Sequence, residues 1–402
     1  GQPHTLFSPL LPFFIAIFFF LFENIELSAH LATIFFALIS LPAFYFLVRK
    51  ITSQKVALVA LIFFSLNGYF IWNYIIYPNA QILAGFFAIL ISFLLFKISY
   101  LKNLKKSDFF WLALIGLSIG LAYLARAEYF LLIIPVLIYI FIIYRKIFSF
   151  EKVLLMLSLI LVSFLLIALP YILFLHKNLG YFTFSGRVNG ALFYLTQGYD
   201  PDEINIYSHS KLTTISLKPI AFPENIFSLI YKNFGFILKN FLKELVNIEF
   251  SFLRVFGMIG IILFAYGLRV FILKKRFKEL AIIFISLMPV FFVALTRLGK
   301  TNYLTQFFYL FIIFMAVGFW TIFKEIVSRF QLSQLKKKIL LVCLIIVSTF
   351  YFFFPALQNY LFLPRDYNEA EFKLMGLWMK ENIADIKNET ILARKPDPVF
   401  LR

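Results

Sequence analysis

Apolar segments long enough to cross a membrane recur along the 402-residue chain, and they limit its possible folds more than any other feature. A helix needs about 20 apolar residues to cross a bilayer, and a run of about ten such segments indicates a polytopic helical membrane protein. The composition agrees, because 62% of the residues are hydrophobic and only 14% are charged. We therefore predict an all-α membrane protein with spans near 30–48, 56–74, 80–97, 109–125, 129–144, 153–174, 252–271, 279–296, 303–323 and 338–356.

The loops between these segments alternate in positive charge. Basic residues concentrate in every second loop, at 49–55, 97–106, 145–152, 269–278 and 324–338, and are sparse in the short loops between. Basic loops face the cytoplasm in membrane proteins, so the sparse loops are predicted to face outward across a plasma (inner) membrane. The formal net charge of +18 then reflects orientation, and no nucleic-acid partner is predicted.

Three regions are predicted from this topology. Residues 1–29 would end a first outer loop, with the apolar run Ser8–Phe22 lying as a surface helix because it is short for a span. An alternative, in which this run spans and the N-terminus is cytoplasmic, stays open. Residues 30–356 form the transmembrane domain, and 357–402 the start of a soluble outer domain. The chain is expected to be a fragment that lacks both termini of a longer protein.

The long outer loop at 176–251 contains a predicted amphipathic helix at 224–248. Its apolar side comprises Phe227, Ile230, Phe234, Ile237, Leu238, Phe241 and Leu245, while Lys232, Lys239, Lys243 and Glu244 lie largely elsewhere on the helix. A helix on the outer leaflet and a surface helix that packs on its own domain both explain the pattern.

Polar residues gather at the outer ends of the spans, whereas the middle thirds of the spans carry almost no ionisable residue. That distribution argues against an ion-coupled transporter, which usually needs such residues near the midplane. Arg126, Arg297 and Lys300 all lie at outer ends. Because Arg clamps phosphate oxygens and Lys adds a point charge, they are predicted to bind the phosphate of a lipid-linked donor. The alternative for each residue is an interface anchor that reaches to water.

No metal or cofactor is predicted. Histidine and cysteine residues show no metal-binding spacing, and Cys343 is the single cysteine.

Several stretches together resemble a known family of membrane enzymes. They are Ser8–Pro12, His30–Lys50, Gly116–Glu128 with its Leu-x-Arg-x-Glu ending, Leu169–Phe182, and Trp378–Pro398. The chain resembles the GT-C glycosyltransferases of the protein O-mannosyltransferase and aminoarabinose-transferase type, glycosyltransferase family 39. The resemblance implies inverting transfer of a sugar from a polyprenyl-phosphate donor to a protein or lipid acceptor at the outer face, among membrane lipids.

The resemblance also bears on the site residues. Residues predicted to contact the sugar or the acceptor are Tyr77, Asn79, Gln81, Glu128, Arg187 and Tyr303. The family's general base is expected upstream of Gly1, so no catalytic residue is assigned. Asn79 stands where members often carry an acidic residue, and an amide cannot act as a base.

Two alternatives come from other functional classes. A flippase for lipid-linked sugars or polysaccharides would need polar residues in the inner half of the spans, and here they cluster at the outer ends. A non-catalytic assembly subunit is favoured if no base exists. An acidic residue in a loop ahead of Gln2 would favour the enzyme.

Overall fold

The computed structural model describes residues 8–71, 78–101, 103–180, 182–185, 231–295 and 304–362, and these residues are helical apart from short turns. Within these residues, twelve α-helices and two 3₁₀ turns follow in this order. They are α1 (Leu10–Phe22), α2 (Ile25–Ile51), α3 (Gln54–Ser65), α4 (Gly68–Ile71), α5 (Gln81–Ile98), α6 (Lys106–Ala125), the first 3₁₀ turn (Ala127–Leu132), α7 (Ile133–Tyr144), α8 (Phe150–Leu179), α9 (Phe234–Leu273), α10 (Phe277–Leu295), the second 3₁₀ turn (Thr305–Phe307), α11 (Phe308–Arg329) and α12 (Gln334–Phe362).

Seven stretches of the described residues are long and apolar enough to cross a membrane. They lie in α2, α5, α6, the first 3₁₀ turn with α7, α8, the second half of α9, and the second 3₁₀ turn with α11. The other predicted spans coincide with α3 and α4, with α10 and with α12. The prediction of an all-α, multi-pass integral membrane protein is therefore confirmed. Of the outer domain predicted at 357–402, residues 357–362 are the end of α12, and residues 363–402 lie outside the described residues.

The short apolar run near the N-terminus forms α1, which folds back along α2. The turn between them uses a left-handed backbone at Glu23 (φ 52°), and the Asn24 side chain accepts a hydrogen bond from the Leu27 N–H at 3.0 Å. The rings of Phe14 and Phe36 then meet at 4.7 Å between centroids. The position of α1 on the membrane surface stays a prediction.

Glycines let two pairs of spanning helices approach closely. A Cβ atom at Gly116 of α6 would lie 2.2 Å from the carbonyl oxygen of Ile160 in α8. In the second pair, a Cβ atom at Gly267 of α9 would lie 1.9 Å from the carbonyl oxygen of Phe314 in α11. Small residues at such crossings are the usual means of packing helices in lipid. These contacts fix α6 against α8 and α9 against α11.

A neutral polar cluster joins three helices inside the bundle. The Ser92 hydroxyl of α5 lies 2.9 Å from the Ser286 hydroxyl of α10 and 3.0 Å from the Tyr309 hydroxyl of α11. All three residues are buried, and the two serine hydroxyls also lie within hydrogen-bonding distance of carbonyl oxygens of their own helices. The cluster joins these three helices through neutral hydroxyl groups.

The predicted amphipathic helix differs from the structure in its length and in which residues it buries. The structure joins its described part to the following span in one helix, α9, which is interrupted only at Gly257 (φ 60°, ψ −176°). Glu244 was expected largely off the apolar side, and that expectation is wrong: it is 8% exposed and shares the buried face with Ile237 and Ile248. Asn247 donates to the Glu244 carboxylate at 3.1 Å, which lowers the cost of burying it. Placement of 224–248 on the outer leaflet stays a prediction.

Candidate functional site

The site is centred on the point where α6 ends. Arg126 leaves the helix in an extended conformation (φ −151°, ψ 126°) while its N–H still bonds to the Ala122 carbonyl oxygen at 2.8 Å. The first 3₁₀ turn follows at once, so the predicted break at Arg126 and Glu128 is a turn between two spans. The Arg126 Nε donates to Glu128 Oε1 at 2.5 Å, and the two side chains are only 11% and 9% exposed. Such burial is not the arrangement of anchors that reach into water.

A third polar side chain completes this group. Gln306, in the second 3₁₀ turn, is 1% exposed and donates from Nε2 to Glu128 Oε1 at 3.0 Å. Beside it, the rings of Tyr129 and Phe307 stack at 6.0 Å between centroids. Two turns that are 178 residues apart in sequence therefore meet at the Glu128 carboxylate. Gln306 was not among the predicted site residues, although a glutamine inside the apolar run that begins at Leu304 was a signal for it.

The beginning of α5 lies at the same end of the bundle. Asn79 accepts the Gln81 N–H on its Oδ1 at 3.0 Å, and Gln81 is 7% exposed. One turn further on, a Cβ atom at Gly85 would lie 3.6 Å from the Cα atom of Gln306. The hydrogen bond to Gln81 gives Asn79 a structural role at the helix start, in addition to the sugar contact predicted for it.

The chain that leaves α8 also returns to the end of α6. The Tyr123 hydroxyl donates to the Phe184 carbonyl oxygen at 2.8 Å, and the rings of Phe130 and Phe184 stack at 5.0 Å with 6° between their planes. This contact brings Ser185, the last described residue before Arg187, to the same end.

The predicted site residues thus divide into two groups. Asn79, Gln81, Arg126 and Glu128 are described and lie at one end of the bundle. Tyr77, Arg187, Arg297, Lys300 and Tyr303 lie outside the described residues, and the described chain next to each of them leads to this end. No group of three potential metal-binding side chains of the His, Cys, Asp or Glu type occurs within the described ranges.

The arrangement can orient charge and bind polar groups. The carboxylate fixes the guanidinium of Arg126 through Nε, and a short charged hydrogen bond in a buried site is stronger than a neutral one. Both contacts of the carboxylate fall on Oε1, and Oε2 accepts no hydrogen bond from any described residue. The geometry therefore presents a positioned guanidinium beside a carboxylate oxygen that can accept a further hydrogen bond.

Comparison with known sequences gives a match to one protein family. Residues 3–173, fewer than half of the chain, match the sequence profile described as dolichyl-phosphate-mannose-protein mannosyltransferase. The matched region includes α1 to α7, most of α8 and the Arg126–Glu128 turn. A search of curated proteins returned no match.

Comparison with solved structures finds the same fold in an oligosaccharyltransferase from Archaeoglobus fulgidus. The complex with zinc and sulfate gives a TM-score of 0.58 at 16% identity, covering 98% of this chain and 50% of the other. The form tethered to an acceptor peptide gives 0.59 at 16% identity, with coverage of 98% and 52%. The archaeal oligosaccharyltransferase AglB with an inhibitory peptide and a dolichol-phosphate gives 0.58 at 15% identity, with coverage of 98% and 53%.

This chain thus spans about half the length of the structures it matches. Identity this low is evidence of fold alone, and the sequence match concerns residues 3–173. Together they confirm the predicted resemblance: the chain is a multi-pass membrane protein of the GT-C fold, and its residues 3–173 match the dolichyl-phosphate-mannose-protein mannosyltransferase family.

Proposed function

We propose that the protein is an inverting glycosyltransferase that moves a sugar from a polyprenyl-phosphate donor to a protein or lipid acceptor. The reaction takes place at the outer face of the plasma membrane, at the end of the bundle that contains Arg126. One observation carries the proposal: the described chain next to each predicted polar stretch converges on the Arg126–Glu128–Gln306 group.

Arg126 binds the donor phosphate in this proposal. Sugar transfer breaks the bond between the anomeric carbon and the phosphate oxygen, so negative charge grows on the phosphate as the bond breaks. A guanidinium already held in place stabilises that charge without reorganising, which is the usual origin of electrostatic catalysis. Arg297 and Lys300 precede the second 3₁₀ turn in sequence, and Gln306 of that turn contacts Glu128. In this proposal their positive charges attract the same phosphate.

The compared proteins support the class of donor and acceptor. The matching family is named for a dolichyl-phosphate-mannose donor and a protein acceptor. The archaeal oligosaccharyltransferase of the same fold was solved with a dolichol-phosphate and an inhibitory peptide. A lipid-linked phosphate sugar and a peptide or protein therefore suit this chain, with a lipid as the other acceptor class.

The test compares two arginines that each pair with a nearby glutamate. Arg126 pairs with Glu128 at the proposed site, and Arg276 pairs with Glu279 at 2.7 Å at the opposite end of the bundle. Arg126→Lys keeps the charge that Glu128 needs but loses the bidentate fork. A charged hydrogen bond contributes about 1.5–3 kcal/mol, so kcat/KM for the donor should fall about 10- to 150-fold.

Arg276→Lys is the matched control and should keep kcat/KM for the donor within about twofold. Both variants are measured as full-length proteins, with melting curves to show that they are folded. Arg126→Lys protein that is folded and transfers sugar at the wild-type rate would contradict the phosphate site. Equal losses in both variants would contradict it too, since the effect would then not be local.

A further inference from the structure

We propose that Gln306 is a positioning residue that holds Glu128 by one oxygen so that the other accepts a hydroxyl of the donor sugar. This inference rests on the proposed function, because it assigns a second part of the same donor to the same site. It separates the site into a phosphate-binding cation and a sugar-binding carboxylate that are two residues apart in sequence.

The first support is the unequal use of the carboxylate oxygens. A carboxylate has two oxygens and about four acceptor positions, and buried polar groups normally satisfy them. Here Arg126 Nε and Gln306 Nε2 both bond to Oε1, at 2.5 and 3.0 Å. If the three side chains served only to bury a charge, the donors would be expected to cover both oxygens. Their convergence on one oxygen leaves Oε2 available as an acceptor.

The second support is the rigidity of the Gln306 side chain, which donates the hydrogen bond to Glu128. Gln306 is 1% exposed, between Thr305 at 1% and Phe307 at 0%. Gly85 of α5 lies against the backbone of Gln306. A Cβ atom added at Gly85 would lie 3.6 Å from the Gln306 Cα atom. A side chain enclosed in this way has few alternative rotamers. Its amide therefore sets the plane of the Glu128 carboxylate, and this makes it a positioning group.

The third support is the chemistry of the available oxygen. A carboxylate accepts hydrogen bonds and repels a phosphate, so the part of a sugar phosphate that suits it is a neutral hydrogen-bond donor. The hydroxyls of a sugar are such donors, and the phosphate of the same molecule is attracted to Arg126. Gln306 is neutral, so it orients the carboxylate without adding a second positive charge that would compete for the phosphate.

The experiment measures binding of two ligands that differ only in the sugar. Dolichyl-phosphate mannose and dolichyl phosphate are titrated against the full-length protein in nanodiscs, for the wild type, Gln306→Leu, Glu128→Gln and the double variant. Gln306→Leu should weaken binding of dolichyl-phosphate mannose about five- to tenfold and leave dolichyl phosphate within about twofold. The matched control is Gln54→Leu, an exposed glutamine at the other end of the bundle, which should change neither.

If Gln306 had only a structural role, Gln306→Leu would weaken binding of both ligands equally, because a disturbed turn would also displace Arg126. Gln306→Leu should add no further loss to Glu128→Gln, since Gln306 acts through that carboxylate. Equal weakening of both ligands, no weakening of either, or additive losses would each overturn the inference. Wild-type protein that binds neither ligand would contradict the proposed function itself, and this inference with it.

Discussion

The two ends of the bundle hold their charges in different ways. At the Arg126 end, a guanidinium, a carboxylate and an amide from two distant turns meet in a buried group. At the opposite end, positive charges are distributed over several loops, and individual lysines lie over different aromatic rings. Lys97 Nζ lies 3.1 Å from the ring centroid of Trp111, and Lys278 Nζ lies 5.5 Å from that of Tyr100.

The opposite end of the bundle, called the basic end below, contains an ion pair that links neighbouring turns. Arg276, just before α10, bonds to Glu279 in the first turn of that helix and donates from Nη2 to the Ile51 carbonyl oxygen at the end of α2. Burial and then the nearby Glu279 carboxylate raise the pKa of Tyr100 above its ordinary value, because both disfavour the phenolate.

The difference distinguishes structural charge from functional charge. Each basic-end contact is explained by loop packing and by cations lying over aromatic rings, which suits a surface that faces anionic lipid headgroups. The Arg126 end is costly to assemble, because it buries ions and orders segments far apart in sequence. We expect such cost where a ligand must be positioned, and this end is therefore the one assigned to the donor.

The largest expected effect concerns which end faces outward. In a Cys343→Ser background, single cysteines at Asn79 and Lys300 should react with an impermeant thiol reagent applied to intact cells. A cysteine at Lys105 should react only after the membrane is opened, because it lies in a basic loop. Mass tagging of each variant gives the labelled fraction. Labelling of the Lys105 position in intact cells would reverse the assignment of the two ends.

A smaller effect tests whether the packing of α6 supports the site. Gly116→Ala adds a Cβ atom that would meet the Ile160 carbonyl oxygen at 2.2 Å. Overpacking of this kind costs about 1–3 kcal/mol, so the melting temperature should fall. The control is Gly235→Ala in α9, where nothing lies within 4 Å of the added atom, and stability should change by less than about 0.5 kcal/mol. Equal melting temperatures for the two variants would contradict the close α6–α8 contact.

Much of the fold follows from local properties of the sequence. Apolar length predicted the spans, and the charged interruption at Arg126 correctly predicted the turn between α6 and α7. The contact between Glu128 and Gln306 could not be predicted, because it joins turns 178 residues apart and no periodicity connects them. The burial of Glu244 was not predicted either, because the helical pattern alone does not specify which neighbours pack against α9.

The most direct test of the account is to locate the bound donor phosphate. A dolichyl phosphate with a photoreactive group on its first isoprene unit is irradiated with the full-length protein, and the cross-linked peptides are mapped by mass spectrometry. We expect cross-links in the two 3₁₀ turns, 127–132 and 305–307, and their loss on competition with unlabelled dolichyl phosphate. Competed cross-links in the basic loops at 97–106 or 269–278 would contradict the assignment of the donor to the Arg126 end.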